Sequence, residues 1–451
     1  MTPLPRCNDP VTFVVFGATG DLFKRKIIPS LYLLYHTGNL PDVFSIVGFG
    51  RQNHTNESFR KYVHDRLAEV VPGATEAEAA PFLELFEYYQ GEFSDTSTFD
   101  ALNDALVARD RACSCTTLKS FYLAVPPEQV RALVPQIAHV APRKNGAPSV
   151  RQIIIEKPFG HDEESAQALN KHLHAYFDES EIYRIDHYLA KPGLEHLLHA
   201  RVKHDRYDAL LKEEPITGID ISLYETLGVE KRGAFYDSVG TLRDVGQNHL
   251  LEMLALAVMP LPEMRAKHIC RSREAFITSL PRLSTEHAAA HSKRAQYAGY
   301  RAIPGVAPDS EVETFFRLDF KLAHEPYKGV SVTLASGKRM PHVEKEIIIR
   351  FNCDHTDSLH IELEPMPRLY TKKDGRITPI ETFEDPEPNI QYANEYASLF
   401  SYAWRGDITY FPTEREVEAA WRFVDPVLAA WKGGVPPLET YEPDKGVPYY
   451  N

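Results

Sequence analysis

Asp186, His187, Tyr188 and Lys191 place a carboxylate, an imidazole, a phenol and an ammonium within six positions, directly after the apolar Ile182 and Ile185. That pattern marks a strand end opening into polar chemistry. Burying a carboxylate beside cations is costly unless the group is used or paired. Acid–base work and a structural ion pair remain equally open on these residues alone. A second set, Glu156-Lys157-Pro158-Phe159-Gly160, follows the apolar run ending at Ile155. A Lys before Pro is held extended, which aims its ammonium past the strand end. A third set, Gly17-Ala-Thr19-Gly20-Asp21-Leu22, follows the apolar residues 11–16. Such a turn receives a pyrophosphate on free backbone N–H groups, or simply turns the chain tightly. Arg51 comes just after another apolar stretch, where an NAD-selective site carries a carboxylate. An Arg there either pairs with a 2′-phosphate, which points to NADP, or is a solvated surface residue.

These residues need particular elements to hold them. Residues 11–16, 44–48, 120–125 and 152–155 are short, β-branched or aromatic runs, the signature of parallel strands buried on both faces. Helical character over residues 23–35 ends at Gly38, and Asp162 with Glu163 and Glu164 starts a second helix carrying Ala166, Leu169, Leu173 and Phe177 as its core face. Strand, glycine turn and helix form the opening of a dinucleotide-binding unit. Beyond about residue 190 the texture changes. Residues 219–223, 314–320, 330–334, 346–351 and 358–363 show partial alternation, and the last four follow one another without helices, which predicts a mostly antiparallel sheet. Helices are expected over 241–257 and 417–431, and an irregular excursion over 281–308. The predicted fold is α/β plus α+β: a Rossmann-like dinucleotide-binding domain over residues 1–185 and a larger α+β domain over 186–451.

A chain of 451 residues exceeds one ordinary core. Its formal charge of −13 argues against a general nucleic-acid binder. No apolar run approaches bilayer length and residues 1–6 lack a signal-peptide core, so the expected compartment is the cytoplasm, with no membrane partner. Five scattered cysteines read as reduced thiols, and Cys113-Ser-Cys115 has no second ligand pair, so no metal site is expected.

Together, the glycine turn, Glu156-Lys-Pro-Phe-Gly160, Arg184-Ile-Asp-His-Tyr-Leu-Ala-Lys191, Arg243-Asp-Val-Gly-Gln-Asn-His249 and Ser336-Gly-Lys338 occur in the order of one family. The chain resembles glucose-6-phosphate dehydrogenase, and residues 416–426 look like that family's C-terminal helix. The resemblance implies oxidation of D-glucose 6-phosphate at C1 to the 6-phospho-lactone with hydride transfer to NADP, by a homodimer or homotetramer. It implies His249 as the base and Asp186 as its carboxylate partner. Of the sugar-phosphate contacts, His187, Tyr188 and Lys191 match the phosphate clamp. Lys157 matches a Lys touching both sugar and coenzyme, preceding a proline, Pro158, whose counterpart is cis. Glu225, Asp244 and Lys338 match further sugar contacts. Gly17, Thr19, Gly20, Asp21, Leu22, Arg51, Tyr122 and Lys157 match the coenzyme positions.

The chain also departs from the family. Phe23 replaces a small Ala, Ala190 replaces Gly, and Pro192-Gly193 stands where a helix normally runs on. Val343 occupies the place of a second basic residue on the sugar, and Glu364-Pro365 stands where Gln-Pro is expected. Glu344 replaces a Lys that serves a second, structural NADP in eukaryotic members, so no such site is expected. Two other readings stay open: a related sugar or sugar-phosphate dehydrogenase with altered substrate, and a non-catalytic NADP-binding module.

Overall fold

The computed structural model describes residues 7–71, 75–142, 150–203, 205–261, 266–364, 367–382 and 391–447. Residues 1–6 and Pro365, on which two of the readings above rest, lie outside the described residues. The chain divides into two compact units: residues 1–159, 168–190 and 386–413, and residues 160–167, 191–385 and 414–451.

The first unit holds six parallel strands, β1 (Val11–Phe16), β2 (Phe44–Gly50), β3 (Phe86–Gln90), β4 (Leu118–Leu123), β5 (Arg151–Glu156) and β6 (Ile182–Ile185), in the order β3-β2-β1-β4-β5-β6. All six residues of β1 are buried, as a central strand covered on both faces requires. The strand order reverses between β1 and β4, so the carboxyl ends of these two strands bound the crevice where such sheets take ligands. The last segment of this unit is a helix, Gln391–Trp404, which packs on the helix Ile28–His36. Its Phe400 and Trp404 lie 5.1 and 5.4 Å from the Phe13 ring.

In the second unit nine strands form one sheet: β7 (Ile216–Tyr224), β8 (Ser292–Tyr297), β9 (Phe315–Lys321), β10 (Ser331–Gly337), β11 (Glu344–Phe351), β12 (Ser358–Glu364), β13 (Arg368–Lys373), β14 (Arg376–Thr382) and β15 (Leu438–Tyr441). The order is β14-β13-β12-β11-β7-β10-β9-β8-β15. Pairing is antiparallel except between β7 and β10 and between β8 and β15. Helices Ala266–Thr278 and Glu414–Lys432 pack together, joined by Arg273 and Glu416, which are buried and paired at 2.5 and 3.2 Å. Among the described residues no helix is long and apolar enough to cross a membrane.

Several expectations are corrected. Cys113 and Cys115 form a disulfide rather than staying reduced. Ser114 adopts a left-handed φ of 52°, which folds the two cysteines back on each other with their Cα atoms 5.2 Å apart. The stretch 281–308 is irregular only at its two ends: Ser284 caps a helix, Thr285–His291, which leads straight into β8. Pro192-Gly193 does not interrupt a helix. Pro192 begins one, Pro192–Lys203, at the position where a missing N–H costs nothing. The helix expected over 241–257 is continuous only in part, because Leu242–Leu250 winds as a π-helix.

Candidate active site

In the first unit, β1 ends in the glycine turn. Gly17 has φ 83°, its N–H donates to Phe49 O at 2.9 Å, and a Cβ there would sit 2.3 Å from Ala124 O. Only glycine lets β1 and β4 approach this closely, so the following N–H groups and the half-exposed Thr19 and Gly20 sit at the crevice. Residues 21–36 are helical, which directs a helix N-terminus at the turn and fits a pyrophosphate. Asp21 accepts from Arg25 Nε at 2.7 Å, and Leu22 is partly exposed beside it. Phe23 points away from the turn: it is fully buried and stacks on Phe59 with ring centres 6.0 Å apart. Its bulk therefore goes into the core. Arg51 is exposed directly after β2.

At the end of β5, Glu156 is part-buried and accepts a hydrogen bond from the Tyr122 hydroxyl. Tyr396 hydrogen-bonds the same carboxylate. Burial pushes the Glu156 carboxyl up from 4.5 to about 7, against the lowering effect of the two phenols and of Lys157, while the Asp186 charge pushes it further up. Tyr122 is fully buried, so it stands behind Glu156 and Lys157 as a support and exposes no side-chain surface to the crevice. Lys157 precedes a cis peptide at Pro158 and lies 4.0 Å from Asp186 Oδ2. Asp186 in turn accepts from the Tyr188 N–H at 2.9 Å, which fixes the carboxylate at the end of β6. The His187 ring lies against Tyr396 at 6.4 Å, and Tyr188 is buried.

Because Glu156 holds its proton more tightly in the fold than in the open chain, folding is disfavoured as pH rises from its ordinary 4.5 through about 7. Glu156→Gln removes that dependence. The melting temperature of the variant relative to the unmodified protein is expected to rise between about pH 5 and about pH 8. Thermal melts across this range check it; a constant difference would show that Glu156 titrates normally.

In the second unit, the parallel pair β7 and β10 ends with Tyr224 beside Gly337. The next residues, Glu225 and Lys338, are paired at 2.5 Å. Lys338 also lies over the Tyr236 ring, 5.3 Å from its centre. Burial would raise the Glu225 carboxyl, but Lys338, Lys345 and Lys191 outweigh it and hold the group below its ordinary value. Asp244 and His249 lie on the π-helix, which packs against β7 and β10. A regular α-helix would put positions five apart on different faces, whereas the wider i→i+5 turn brings them toward one face. The π-helix begins after Gly240, whose φ of 75° and ψ of 170° break the preceding helix. Glu313 then accepts from the Leu242 N–H at 2.9 Å. Nothing in the local sequence marked Glu313, because it caps from 71 residues away.

One buried cation of the second unit, Lys345, stands outside the motifs named above. Lys345 is buried and donates to Glu364 Oε2 at 2.5 Å, while Lys191 donates to Glu364 Oε1 at 2.7 Å. Glu344, beside Lys345 on β11, accepts from the hydroxyl of Ser222 on β7 at 2.6 Å. The sequence signal for Lys345 was its place in an inward row with Ile347, Ile349 and Phe351. A lone Lys in an apolar row announces a buried partner.

Comparison with known proteins covers both units. The family description "glucose-6-phosphate dehydrogenase, NAD binding domain" matches residues 14–195, and the C-terminal domain of the same family matches residues 198–449. A glucose-6-phosphate 1-dehydrogenase from Treponema pallidum is 33% identical, with 96% of this chain and 91% of the relative covered. The cytoplasmic glucose-6-phosphate 1-dehydrogenase 5 of Arabidopsis thaliana is 30% identical over 93% of this chain and 85% of its own. Among solved structures, a glucose-6-phosphate dehydrogenase in complex with its substrate glucose 6-phosphate superposes with a TM-score of 0.88 at 27% identity, covering 99% of this chain and 96% of that one.

Proposed function

The chain belongs to the glucose-6-phosphate dehydrogenase family, and on that premise we propose how its own residues carry the reaction. It oxidises D-glucose 6-phosphate at C1 to 6-phospho-D-glucono-1,5-lactone, the first step of the oxidative pentose phosphate pathway, with NADP supplying the hydride acceptor. The reading that it is a sugar dehydrogenase of another kind, or an idle NADP-binding module, is not favoured.

Loss of hydride from C1 becomes easier as the C1 hydroxyl gives up its proton, so the site needs a base that is neutral near pH 7. His249 takes that proton, and Asp186 stabilises the imidazolium and holds the ring's tautomer. Lys157 orients the sugar toward the coenzyme. Glu225 and Asp244 accept from sugar hydroxyls, and Lys338 donates. The phosphate is taken by His187, Tyr188 and Lys191, because a dianion needs several donors together. Gly17, Thr19, Gly20, Asp21 and Leu22 hold the pyrophosphate end of NADP. Arg51 reads its 2′-phosphate, and Tyr122 acts through Glu156.

What supports these roles is the cluster of Lys191, Lys338, Glu225 and Glu364, charged groups of the kind that would bind a sugar phosphate. Steady-state rates with NADP on glucose 6-phosphate and on glucose test it. A strong preference for the phosphorylated sugar is expected, and equal rates on both would remove the phosphate role of His187 and Lys191. For coenzyme choice, Arg51→Ala is expected to raise KM for NADP on the order of tenfold while leaving KM for NAD nearly unchanged. An equal change in both would deny Arg51 the 2′-phosphate. The cytoplasm is the proposed compartment, supported by the name of the plant relative. A homodimer or homotetramer is the proposed assembly, which sedimentation of the purified protein tests.

A further inference from the structure

One part-exposed carboxylate in the second unit bridges two buried ammoniums. Glu364 Oε1 lies 2.7 Å from Lys191 Nζ and Glu364 Oε2 lies 2.5 Å from Lys345 Nζ. Close by, Lys338 is paired with Glu225, and both Lys191 and Lys345 act electrostatically on that second carboxylate. Lys191, Lys338 and Lys345 thus act on Glu225 and Glu364 together, and Asp244 of the π-helix acts on the Tyr236 ring over which Lys338 lies. The two oxygens of Glu364 make the contacts that two oxygens of a phosphate monoester would make.

The strands explain how Lys345 arrives there. Val343 stands where a cation on the sugar was expected and lies just before β11, whereas Lys345 is the second residue of that strand and starts its buried row. The register pairs Lys345 with Leu223 of β7 on one side and with Glu364 of β12 on the other. A register shift between Lys345 and Glu346 sits at this point. Gly193, two residues after Lys191, allows the helix to seat on β12, since a Cβ there would come within 3.0 Å of Leu363. Both partners of Glu364 are therefore set by backbone packing. Burial and the neighbouring Lys191 ammonium depress the Lys345 ammonium, opposed by Glu364.

We propose that Lys345 supplies the second cation of the substrate pocket, and that Glu364 is an internal counter-ion which a dianionic phosphate ester displaces from Lys191 and Lys345 on binding. The proposal rests on Lys191 being part of the phosphate clamp. It makes Glu364 a specificity device: a neutral sugar cannot displace a carboxylate held by two ammoniums, whereas a dianion competes for both.

The test is steady-state kinetics with NADP and glucose 6-phosphate for the unmodified protein, Glu364→Gln, Lys345→Ala and Lys345→Arg. Glu364→Gln is expected to lower KM for glucose 6-phosphate about fivefold, because the competing charge is gone. Lys345→Ala is expected to raise it on the order of tenfold, and Lys345→Arg to keep it within about twofold. KM for NADP should not move in any variant. A merely structural ion pair predicts the opposite sign for Glu364→Gln, since losing it would loosen the pocket. A KM that rises or stays constant in Glu364→Gln overturns the proposal, and this near-isosteric variant decides the matter even if Lys345→Ala fails to fold. If the unmodified protein does not oxidise glucose 6-phosphate with NADP, the reading of the whole site falls instead.

Discussion

Replacing His249 by Asn is expected to lower kcat on glucose 6-phosphate by about 10²–10⁴-fold, the range for removing a general base. The dissociation constant for NADP is expected to stay the same, because His249 is not among the residues proposed to hold the coenzyme. Asn keeps a polar side chain of similar size but cannot take up a proton near neutral pH. The split between turnover and coenzyme affinity is what separates a base from a structural histidine. A structural histidine on the buried side of this helix would lower stability and affinity together. Asp186→Asn should show a smaller loss of the same kind, since it leaves the base in place but removes the charge that supports the imidazolium. Turnover that persists in His249→Asn would assign the proton to another group.

The largest expected effect on stability comes from a buried ion pair between two helices of the second unit. Arg273 is fully buried, and Glu416 almost so. Their pairing is bidentate, at 2.5 and 3.2 Å. Although burial works against its charge, the Glu416 carboxylate holds the guanidinium charged more firmly than usual. Arg273→Ala leaves that carboxylate buried beside a cavity and is expected to cost about 3–5 kcal/mol of stability. Chemical denaturation with an unchanged slope and a lower midpoint would report it. The double replacement Arg273→Met with Glu416→Leu removes both charges and fills the space, so it should recover much of the loss. A loss that is equally large in the double variant would place the stabilisation in side-chain shape rather than in the pairing of charge.

Local chemistry made much of the molecule readable. The six buried residues of β1 and the glycine turn after them could be read because each needs only its neighbours: a run of β-branched and aromatic side chains, then a residue free to adopt a positive φ. The same holds for Lys157, held extended before a proline, and for the polar set Asp186 to Lys191 after a short apolar strand. The Ser284 cap is equally local, a serine at the start of the helix Thr285–His291.

What stayed hidden depended on groups far apart in the chain. The helix Gln391–Trp404 carries an ordinary amphipathic pattern, and nothing in it says that it packs in the first unit beside Phe13 rather than with its sequence neighbours. Glu313 caps a π-helix 71 residues earlier. The Cys113–Cys115 disulfide needed a left-handed residue between its halves. Lys345, Glu364 and Lys191 came together across 173 positions. The amino-acid sequence by itself determined the strands, the glycine turn, the candidate base and the family, since those follow from short-range sterics and from residue types at fixed spacing. Only the tertiary structure decided which charges neutralise one another and which helix each sheet carries. Electrostatic and burial energies depend on separation through space, and the order of residues along the chain does not set that separation.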